Sequence, residues 1–405
     1  MRTMSNIKDH TVKVFSPSRT VWRTQMSKGI YTPHRVSRIT CIVNQLLSEK
    51  IASFLSELDV IVYIETGRVV RELIRPRPFN LPGEIVKLKD SPVDVFRFTV
   101  PRENSRDVIN CLIDTGNLEI PGRGTVFSQD LMEFCKEPPH INLDYLAKSV
   151  KNDHDAILLH NLSYVICVLS EPGSGELMSK VALDLGICVP LVTFGSGNDI
   201  RDQLGLIRIT IPAEKEIVHM VMPEHDSESL IRTLIEQVHL DRPGRGFIYK
   251  TPVSSGLIDT YMKAGHQKYA ASMEQIIAAI DQLKSGTGWR KRLDPDQGSV
   301  KTGRSLLPHD NCEISIISDE DRIDRLREAC LKVGATGAVT ARVTPLAAKK
   351  EETITSTMIR SAISVPADLT DSVVDILLEV STIRNNNTDR IHVLDSPAAY
   401  VHSIK

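Results

Sequence analysis

The sequence predicts an α+β protein made of three tandem ferredoxin-like (βαββαβ) domains arranged as an intramolecular pseudo-trimer. Three observations lead to this prediction. A Pro-Gly-Arg-Gly turn occurs twice, at 121–124 and at 243–246. Both copies follow a strand-like run, a proline and an amphipathic helical pattern. A third stretch, later in the sequence, repeats the order of these elements without the glycines.

The segments that lead into the two turns align without a gap. "VPRENSRDVINCLIDTGNLEIPGRG" and "MPEHDSESLIRTLIEQVHLDRPGRG" place Pro101 on Pro223 and Ile109 on Ile231. In both, apolar residues recur at the i, i+3, i+4 spacing of a helix of about twelve residues. Each unit is therefore predicted as strand, helix, turn and strand.

The upstream half of the second copy adds another strand, helix and strand. "SYVICVLS" is strand-like, "GELMSKVALDLG" is helical and ends at Gly186, and "CVPLVTFGSG" is again strand-like. The resulting β-α-β-β-α-β order is the ferredoxin-like arrangement, in which two helices cover one face of a four-stranded antiparallel sheet.

The third copy is the weakest of the three. "ALDLGICVPLVTF" lines up with "ACLKVGATGAVTAR", which places Gly186 on Gly334, and the final turn reads "NNNTDR". The predicted organisation is a basic N-terminal arm at 1–37, domain 1 at 38–136, domain 2 at 156–264, a helical and then irregular linker at 265–309, and a degenerate domain 3 at 310–405.

Charge and composition argue against several classes of function. Lys plus Arg is 49 and Asp plus Glu is 51, so the net charge of −2 gives no overall attraction for nucleic acid or anionic lipid. The seven cysteines are scattered, which predicts reduced and mostly buried side chains. The histidines show no metal-binding spacing, and no hydrolase signature is present. We expect a cytoplasmic, non-enzymatic protein without metal, redox cofactor or membrane insertion, as a monomer or homodimer.

Two segments resemble the PII-like nitrogen regulatory superfamily. "DRPGRGFIYKTPV" is similar to the glycine-basic loop and following strand that hold nucleotide phosphates in that family, and "VGATGAVTARV" is similar to its entry into the second strand. The resemblance implies a signal-transduction protein whose effector is an adenine nucleotide (ATP, ADP or AMP), with or without magnesium. It also implies a protein target such as a transporter or an enzyme. The Tyr-Arg-Gly-Ala-Glu-Tyr modification signature of the uridylylated branch is absent from this sequence.

The chemistry of the turn agrees with phosphate binding. Two glycines around an arginine permit positive φ, so that backbone N–H groups can converge on an anion while the guanidinium adds further donors. The alternative is a tight helix-to-strand turn with a solvated arginine. The candidate nucleotide-binding residues are Gly122, Arg123, Gly124, Gly195, Gly197, Gly244, Arg245, Gly246 and Lys250.

Two glycine-rich loops supply weaker candidates. "EPGSGELM" opens a helix and could hold an anion at its N-terminus, or Ser174 could simply cap that helix. "TFGSGNDIRD" contains Gly195 and Gly197, which could let the backbone pass a nucleotide or could only give flexibility.

A protein partner is predicted to contact the loop at 65–91. Pro76, Pro78 and Pro82 interrupt it, so the sequence predicts that it cannot form a plain hairpin. Its basic cluster suggests an acidic partner surface and consists of Arg68, Arg71, Arg75 and Arg77. The rival hypothesis for the whole chain is a structural or scaffolding assembly that binds no ligand.

Overall fold

The computed structural model describes residues 33–76, 84–150, 156–197, 214–242, 244–259, 311–335, 337–346, 358–381 and 389–401. Residues 1–32 of the predicted arm and the predicted 265–309 linker lie outside these ranges. The segment boundaries expected from the sequence stay predictions. No helix in the described ranges has both the length and the apolar character needed to cross a membrane.

Strands and helices alternate along the chain. The first part contains β1 (His34–Asn44), α1 (Ser48–Glu57), β2 (Val62–Pro76), β3 (Glu84–Pro101), α2 (Ser105–Gly116), β4 (Gly124–Phe134) and α3 (Leu143–Ser149). The second part contains β5 (Leu162–Leu169), α4 (Ser174–Asp184), β6 (Leu191–Ser196), β7 (Glu214–Pro223), α5 (Glu224–Gln237), β8 (Gly246–Val253) and β9 (Ser255–Leu257). The third part contains β10 (Asn311–Asp319), α6 (Glu320–Lys332), β11 (Gly337–Leu346), β12 (Met358–Pro366), α7 (Thr370–Val380), β13 (Arg390–Ser396) and β14 (Ala398–Val401).

Helix α2 illustrates how the local sequence sets these boundaries. Val108, Ile109 and Leu112 are buried on one side of the helix, as the apolar spacing predicts. The helix ends where Asn117 adopts a left-handed conformation with φ 47°, which asparagine tolerates better than most residues. The helix expected after Pro101 is therefore confirmed.

The strands pair first within each part of the chain and then across parts. Their antiparallel orders are β4-β1-β3-β2, β8-β5-β7-β6 and β13-β10-β12-β11. The outer strands then join other parts: β13 pairs with β4, β2 pairs with both β6 and β11, and β14 pairs with β8. All fourteen strands of the described ranges thus belong to one sheet.

This continuous sheet corrects the predicted fold class. Nine of the described strands, in the order β11-β12-β10-β13-β4-β1-β3-β2-β6, close an antiparallel barrel where Thr340 of β11 pairs with Ser196 of β6. The prediction of three tandem ferredoxin-like domains in an intramolecular pseudo-trimer is therefore wrong. Apolar periodicity indicates where a strand lies, but it carries no information about which distant strand covers its exposed edge.

The two faces of the sheet have different chemistry. On β1, Ile39, Cys41 and Val43 pack with apolar residues of α1 and α2 in a buried core. Arg38 and Thr40 alternate with them and are buried on the opposite face. The helix-covered face is therefore apolar, while the inner face carries buried polar and charged groups. All seven cysteines are buried, as expected from their scattered positions.

The predicted partner loop is a long β-ribbon. Strands β2 and β3 pair from Tyr63 with Arg97 out to Pro76 with Glu84, so the expectation that this segment cannot form a plain hairpin is wrong. Pro76 is the last residue of β2, where a strand tolerates a missing N–H donor. Pro78 and Pro82 lie outside the described residues.

Candidate functional site

The first Pro-Gly-Arg-Gly turn connects α2 to β4 and is tied to β1. Gly122 has φ 87°, which is costly for other residues. The N–H of Arg123 donates to the carbonyl of Ile120 at 3.2 Å, and the carbonyl of Arg123 accepts from the N–H of Asn44 at 3.2 Å. Both backbone polar groups of Arg123 are thus hydrogen-bonded within the protein. Its guanidinium Nη1 donates to the carbonyl of Gly116 at 3.1 Å, at the C-terminal end of α2.

The remaining donor of this turn binds an anion supplied by the chain itself. The N–H of Gly122 donates to Oδ1 of Asp259 at 2.8 Å. The other oxygen, Oδ2, forms an ion pair with Arg71 of the β-ribbon. A backbone N–H from a positive-φ glycine and a guanidinium therefore converge on one carboxylate. These are the donors that the nest hypothesis requires for phosphate.

A small cleft opens beside this carboxylate. Its cavity volume is about 30 Å³, which is room for about two waters and is much smaller than a nucleotide. Its wall includes Asn44, Arg71, Ser91, Arg123, Tyr164 and His219. Asp259 also lines this cleft.

The second turn shares one positive-φ glycine and the backbone hydrogen bonds of its arginine with the first turn but has a different anion. Gly244 has φ 74° and Gly246 has φ 135°. The carbonyl of Arg245 accepts from the N–H of Ser170 at 3.0 Å, in the same way that Arg123 accepts from Asn44. The guanidinium of Arg245 pairs with Glu171, whose side chain is 55% exposed. This pair lies at the surface, where an external anion can compete with the carboxylate.

Both turns end in a glycine that the packing requires. A Cβ on Gly124 would lie 2.2 Å from the carbonyl oxygen of Ile42, and one on Gly246 would lie 1.9 Å from that of Val168. Each of these contacts is shorter than any van der Waals approach, so only glycine fits between the turn and the neighbouring strand. Part of the repeated motif is thus explained by architecture, which was the alternative considered for it.

The other predicted nucleotide ligands do not join either turn. A Cβ on Gly195 would lie 2.5 Å from the carbonyl oxygen of Thr340, and one on Gly197 would lie 3.2 Å from that of Ala338. These glycines therefore bring β6 close to β11, and their role beside a nucleotide stays a prediction. The remainder of that loop, 198–213, lies outside the described residues.

Lys250 is also engaged elsewhere. Its Nζ donates to Oε1 of Glu224 at 2.7 Å and to Oγ of Ser227 at 3.1 Å, both at the start of α5. Lys250 lies four positions after Gly246 along β8, a span of about 13 Å. Nucleotide binding by Lys250 stays a prediction, and in the fold its Nζ is engaged by Glu224 and Ser227.

The N-terminus of α4 also contains a carboxylate from the chain. The N–H of Gly175 donates to Oε2 of Glu216 at 2.7 Å. The N-cap residue is Gly173, which provides no side-chain cap, so the alternative of a Ser174 cap is wrong. An anion does lie at this helix end, as the macrodipole favours, but it belongs to the protein.

Two of the predicted partner-contact arginines are paired within the fold. Arg68 forms an ion pair with Asp90 across the ribbon and lies 6.0 Å from the centre of the Phe194 ring. Arg71 pairs with Asp259. Arg75 is part of β2, and Arg77 lies outside the described residues. Arg68 and Arg71 thus contribute to intramolecular contacts, which the basic composition alone did not indicate.

A second set of ionisable residues, buried arginines and glutamates, lies on the inner face of the sheet. Arg38 pairs with Glu313 at 3.0 Å, and Arg390 pairs with Glu133 at 3.1 Å. Glu65 pairs with Arg97 and, at 3.3 Å, with Arg360. These ion pairs connect strands from distant parts of the sequence. The available signal was an ionisable residue at alternate positions of otherwise apolar strands, and the sequence reasoning missed it.

The last two residues of the third turn, Asp389 and Arg390, contribute to this interior. Arg390 is the last residue of "NNNTDR" and points to Glu133 of β4. Asp389 accepts a hydrogen bond from Oγ of Ser318 at 2.9 Å and is 2% exposed. Both side chains are thus engaged with strands β4 and β10.

Burial and neighbouring charges set the protonation of the interior groups. Burial raises the pKa of Glu65, but Arg97 and Arg360 outweigh this effect and lower the pKa to about 2. Burial, reinforced by Arg97, lowers the pKa of His219 to about 3. The His219 ring is held by the hydroxyl of Tyr164 at 2.7 Å and by Oγ1 of Thr193 at 2.9 Å. At neutral pH the glutamate is therefore charged and the histidine neutral.

His219 should make stability depend on pH. The pKa of His219 in the folded chain lies below its unfolded value of about 6.5. Below pH 6.5 the unfolded chain therefore binds a proton at this residue that the folded chain does not bind, and the free energy of unfolding falls. The free energy of unfolding should fall between pH 7.5 and pH 5 by about 2 kcal/mol less in His219→Gln than in the wild type. Urea unfolding at both pH values measures this loss. His225→Gln, at a site 61% exposed, is the matched control and should leave the loss unchanged, whereas an unchanged loss in His219→Gln would contradict the prediction.

In the described ranges, no cluster of three or more His, Cys, Asp or Glu side chains is arranged to hold a metal ion.

Comparison with known proteins gives little further information. No family model matches the chain. No curated protein matches it. Among solved structures, an aspartate kinase from Synechocystis is 10% identical with a TM-score of 0.20, over 90% of this chain and 44% of the kinase. This chain therefore spans less than half of that protein's length, and at this TM-score the likeness supports no conclusion about fold or activity.

Proposed function

We propose that the chain is a non-enzymatic regulatory protein that binds an adenine nucleotide and presents surface loops to a protein partner. The phosphate group of the nucleotide would bind at the second Pro-Gly-Arg-Gly turn. One observation carries this proposal. The carboxylate of Asp259 accepts a hydrogen bond from the N–H of Gly122 and forms an ion pair with the guanidinium of Arg71. A turn of this kind binds an anion in this protein, and the second turn repeats its positive-φ glycine.

The second turn supports the proposal because its counter-ion is accessible. Arg245 is paired with Glu171, a residue that is 55% exposed. Exposed ion pairs contribute at most about 1 kcal/mol. A charge-assisted contact to phosphate contributes about 1.5–3 kcal/mol. A nucleotide phosphate can therefore compete with the Glu171 carboxylate for the same guanidinium.

A structural role without ligand is the second candidate, and one observation favours it. Carboxylates of the chain already occupy the first turn, the guanidinium of the second turn and the N-terminus of α4. If all of these contacts are permanent, the turns serve only to join helices to strands.

A thermal-shift panel tests the proposal against this candidate. ATP, ADP, AMP, cyclic AMP and cyclic di-AMP are added with and without magnesium. A ligand at 100 times its dissociation constant should stabilise the wild type by about 2.7 kcal/mol. Arg245→Ala should weaken binding roughly tenfold to a hundredfold, because it loses about 1.5–3 kcal/mol of contact energy. Its melting temperature without ligand should stay near that of the wild type.

Arg242→Ala is the matched control for this experiment. Arg242 lies in the same connection and its side chain is exposed, so the variant removes one positive charge without removing Arg245. It should bind the nucleotide as the wild type does. Stabilisation by no nucleotide in the panel would favour the structural candidate, and equal losses in both variants would mean that only the overall charge matters.

A further inference from the structure

We propose that Asp259 determines which of the two turns can bind an external anion. Its carboxylate occupies the anion position of the first turn, so only the second turn is open to a ligand. This inference deepens the proposed function and rests on nucleotide binding at the second turn.

The contacts of Asp259 satisfy both of its carboxylate oxygens. Oδ1 accepts from the N–H of Gly122 at 2.8 Å, and Oδ2 pairs with Arg71. Its own backbone N–H donates to Oγ1 of Thr125 at 2.8 Å. The side chain is 6% exposed. Asp259 is therefore held on three sides in the position where a phosphate oxygen would otherwise sit.

The fold places Asp259 there before any ligand arrives. The preceding strand β9 pairs with β4 through Val126 with Leu257 and Phe127 with Gly256. A Cβ on Gly256 would lie 2.5 Å from Cβ of Phe127, so the approach of the two strands is tight. An internal carboxylate fixed in this way has an effective concentration of millimolar or higher. An external anion must exceed this before it can displace Asp259.

Among the described residues, the carboxylate at the second turn is held less firmly. Glu171, the partner of Arg245, precedes α4 and is 55% exposed, compared with 6% for Asp259. Its carboxylate exchanges with solvent anions without breaking buried contacts. The two turns, similar in sequence, thus differ in affinity because of residues that lie outside the motif.

Calorimetric titration with magnesium ATP tests this inference. The wild type should bind about one ATP per chain, and Asp259→Ala should gain a second site within about tenfold of the first in affinity. Asp90→Ala is the control, since it also removes one carboxylate paired with an arginine of the β-ribbon, in this case with Arg68 and not with Arg71. It should retain one site. Asp259→Asn is the second variant, for the case that Asp259→Ala does not fold. It removes the charge, keeps the shape of the side chain and should also gain a second, weaker site.

Inorganic phosphate as a second ligand separates this inference from the proposed function. If the wild type binds neither ATP nor any other nucleotide of the thermal-shift panel, the nucleotide proposal fails. The inference still holds if Asp259→Ala, but not Asp90→Ala, gains phosphate binding by at least tenfold. If the folded Asp259 variants gain neither ATP nor phosphate binding, Asp259 does not control access to the first turn and the inference is overturned.

Discussion

Glu133→Ala should lower the free energy of unfolding by about 3–5 kcal/mol, the cost of leaving a buried charge without its partner. Glu133 is 0% exposed. It pairs with Arg390 at 3.1 Å and accepts hydrogen bonds from Nε2 of His392 at 3.1 Å and Oγ1 of Thr99 at 3.2 Å. Burial raises the pKa of Glu133, but Arg390 outweighs it and lowers the pKa to about 2. The substitution therefore leaves the Arg390 guanidinium buried and uncompensated.

Urea unfolding followed by circular dichroism measures this effect. Glu103→Ala is the control. It removes an exposed glutamate from the short 3₁₀ turn, Arg102–Asn104, that precedes α2, and it should change the free energy of unfolding by no more than about 0.5 kcal/mol. A loss of less than about 1 kcal/mol in Glu133→Ala would show that the interior ion pairs do not hold β4 and β13 together.

Gly246→Ala should be the most damaging single change in the second turn. The new Cβ would lie 1.9 Å from the carbonyl oxygen of Val168, and φ of 135° is unfavourable for alanine. Either the turn or β5 must shift, and the loss should reach about 3 kcal/mol or more.

Gly186→Ala provides the matched comparison. Gly186 has φ 67° and no atom within 4 Å of an added Cβ, so it isolates the conformational cost without a clash. We expect a loss of about 1–2 kcal/mol there. If Gly246→Ala is no worse than Gly186→Ala, the close approach of the turn to β5 does not constrain this position.

The sequence was informative about local elements and poor at predicting how they assemble. The helix after Pro101 and the glycine-dependent turns follow from periodicity and backbone preference, which are properties of neighbouring residues. Closure of the barrel depends on pairings such as Thr344 with Ile64 and Val393 with Met132. No local pattern specifies such pairings, because every edge strand presents the same backbone groups.

The candidate site shows the same division. The glycines and arginines of the two turns are visible as a motif, and the positive φ of Gly122, Gly244 and Gly246 agrees with it. The carboxylates of Asp259, Glu171 and Glu216 were missed because they lie in other elements and have no spacing in common with the turns. Only the fold brings them to the backbone and guanidinium groups that they occupy.

In this proposal the two turns differ in their accessibility to an external anion, with the first closed by Asp259 and the second open at Arg245. Isothermal titration of the wild-type chain with magnesium ATP at moderate ionic strength distinguishes this difference from a purely structural role. We expect about one nucleotide per chain, with binding weakened at least tenfold in Arg245→Ala and unchanged in Arg242→Ala. Binding of no nucleotide, or binding that is indifferent to Arg245, would contradict it and leave the turns as purely structural connections.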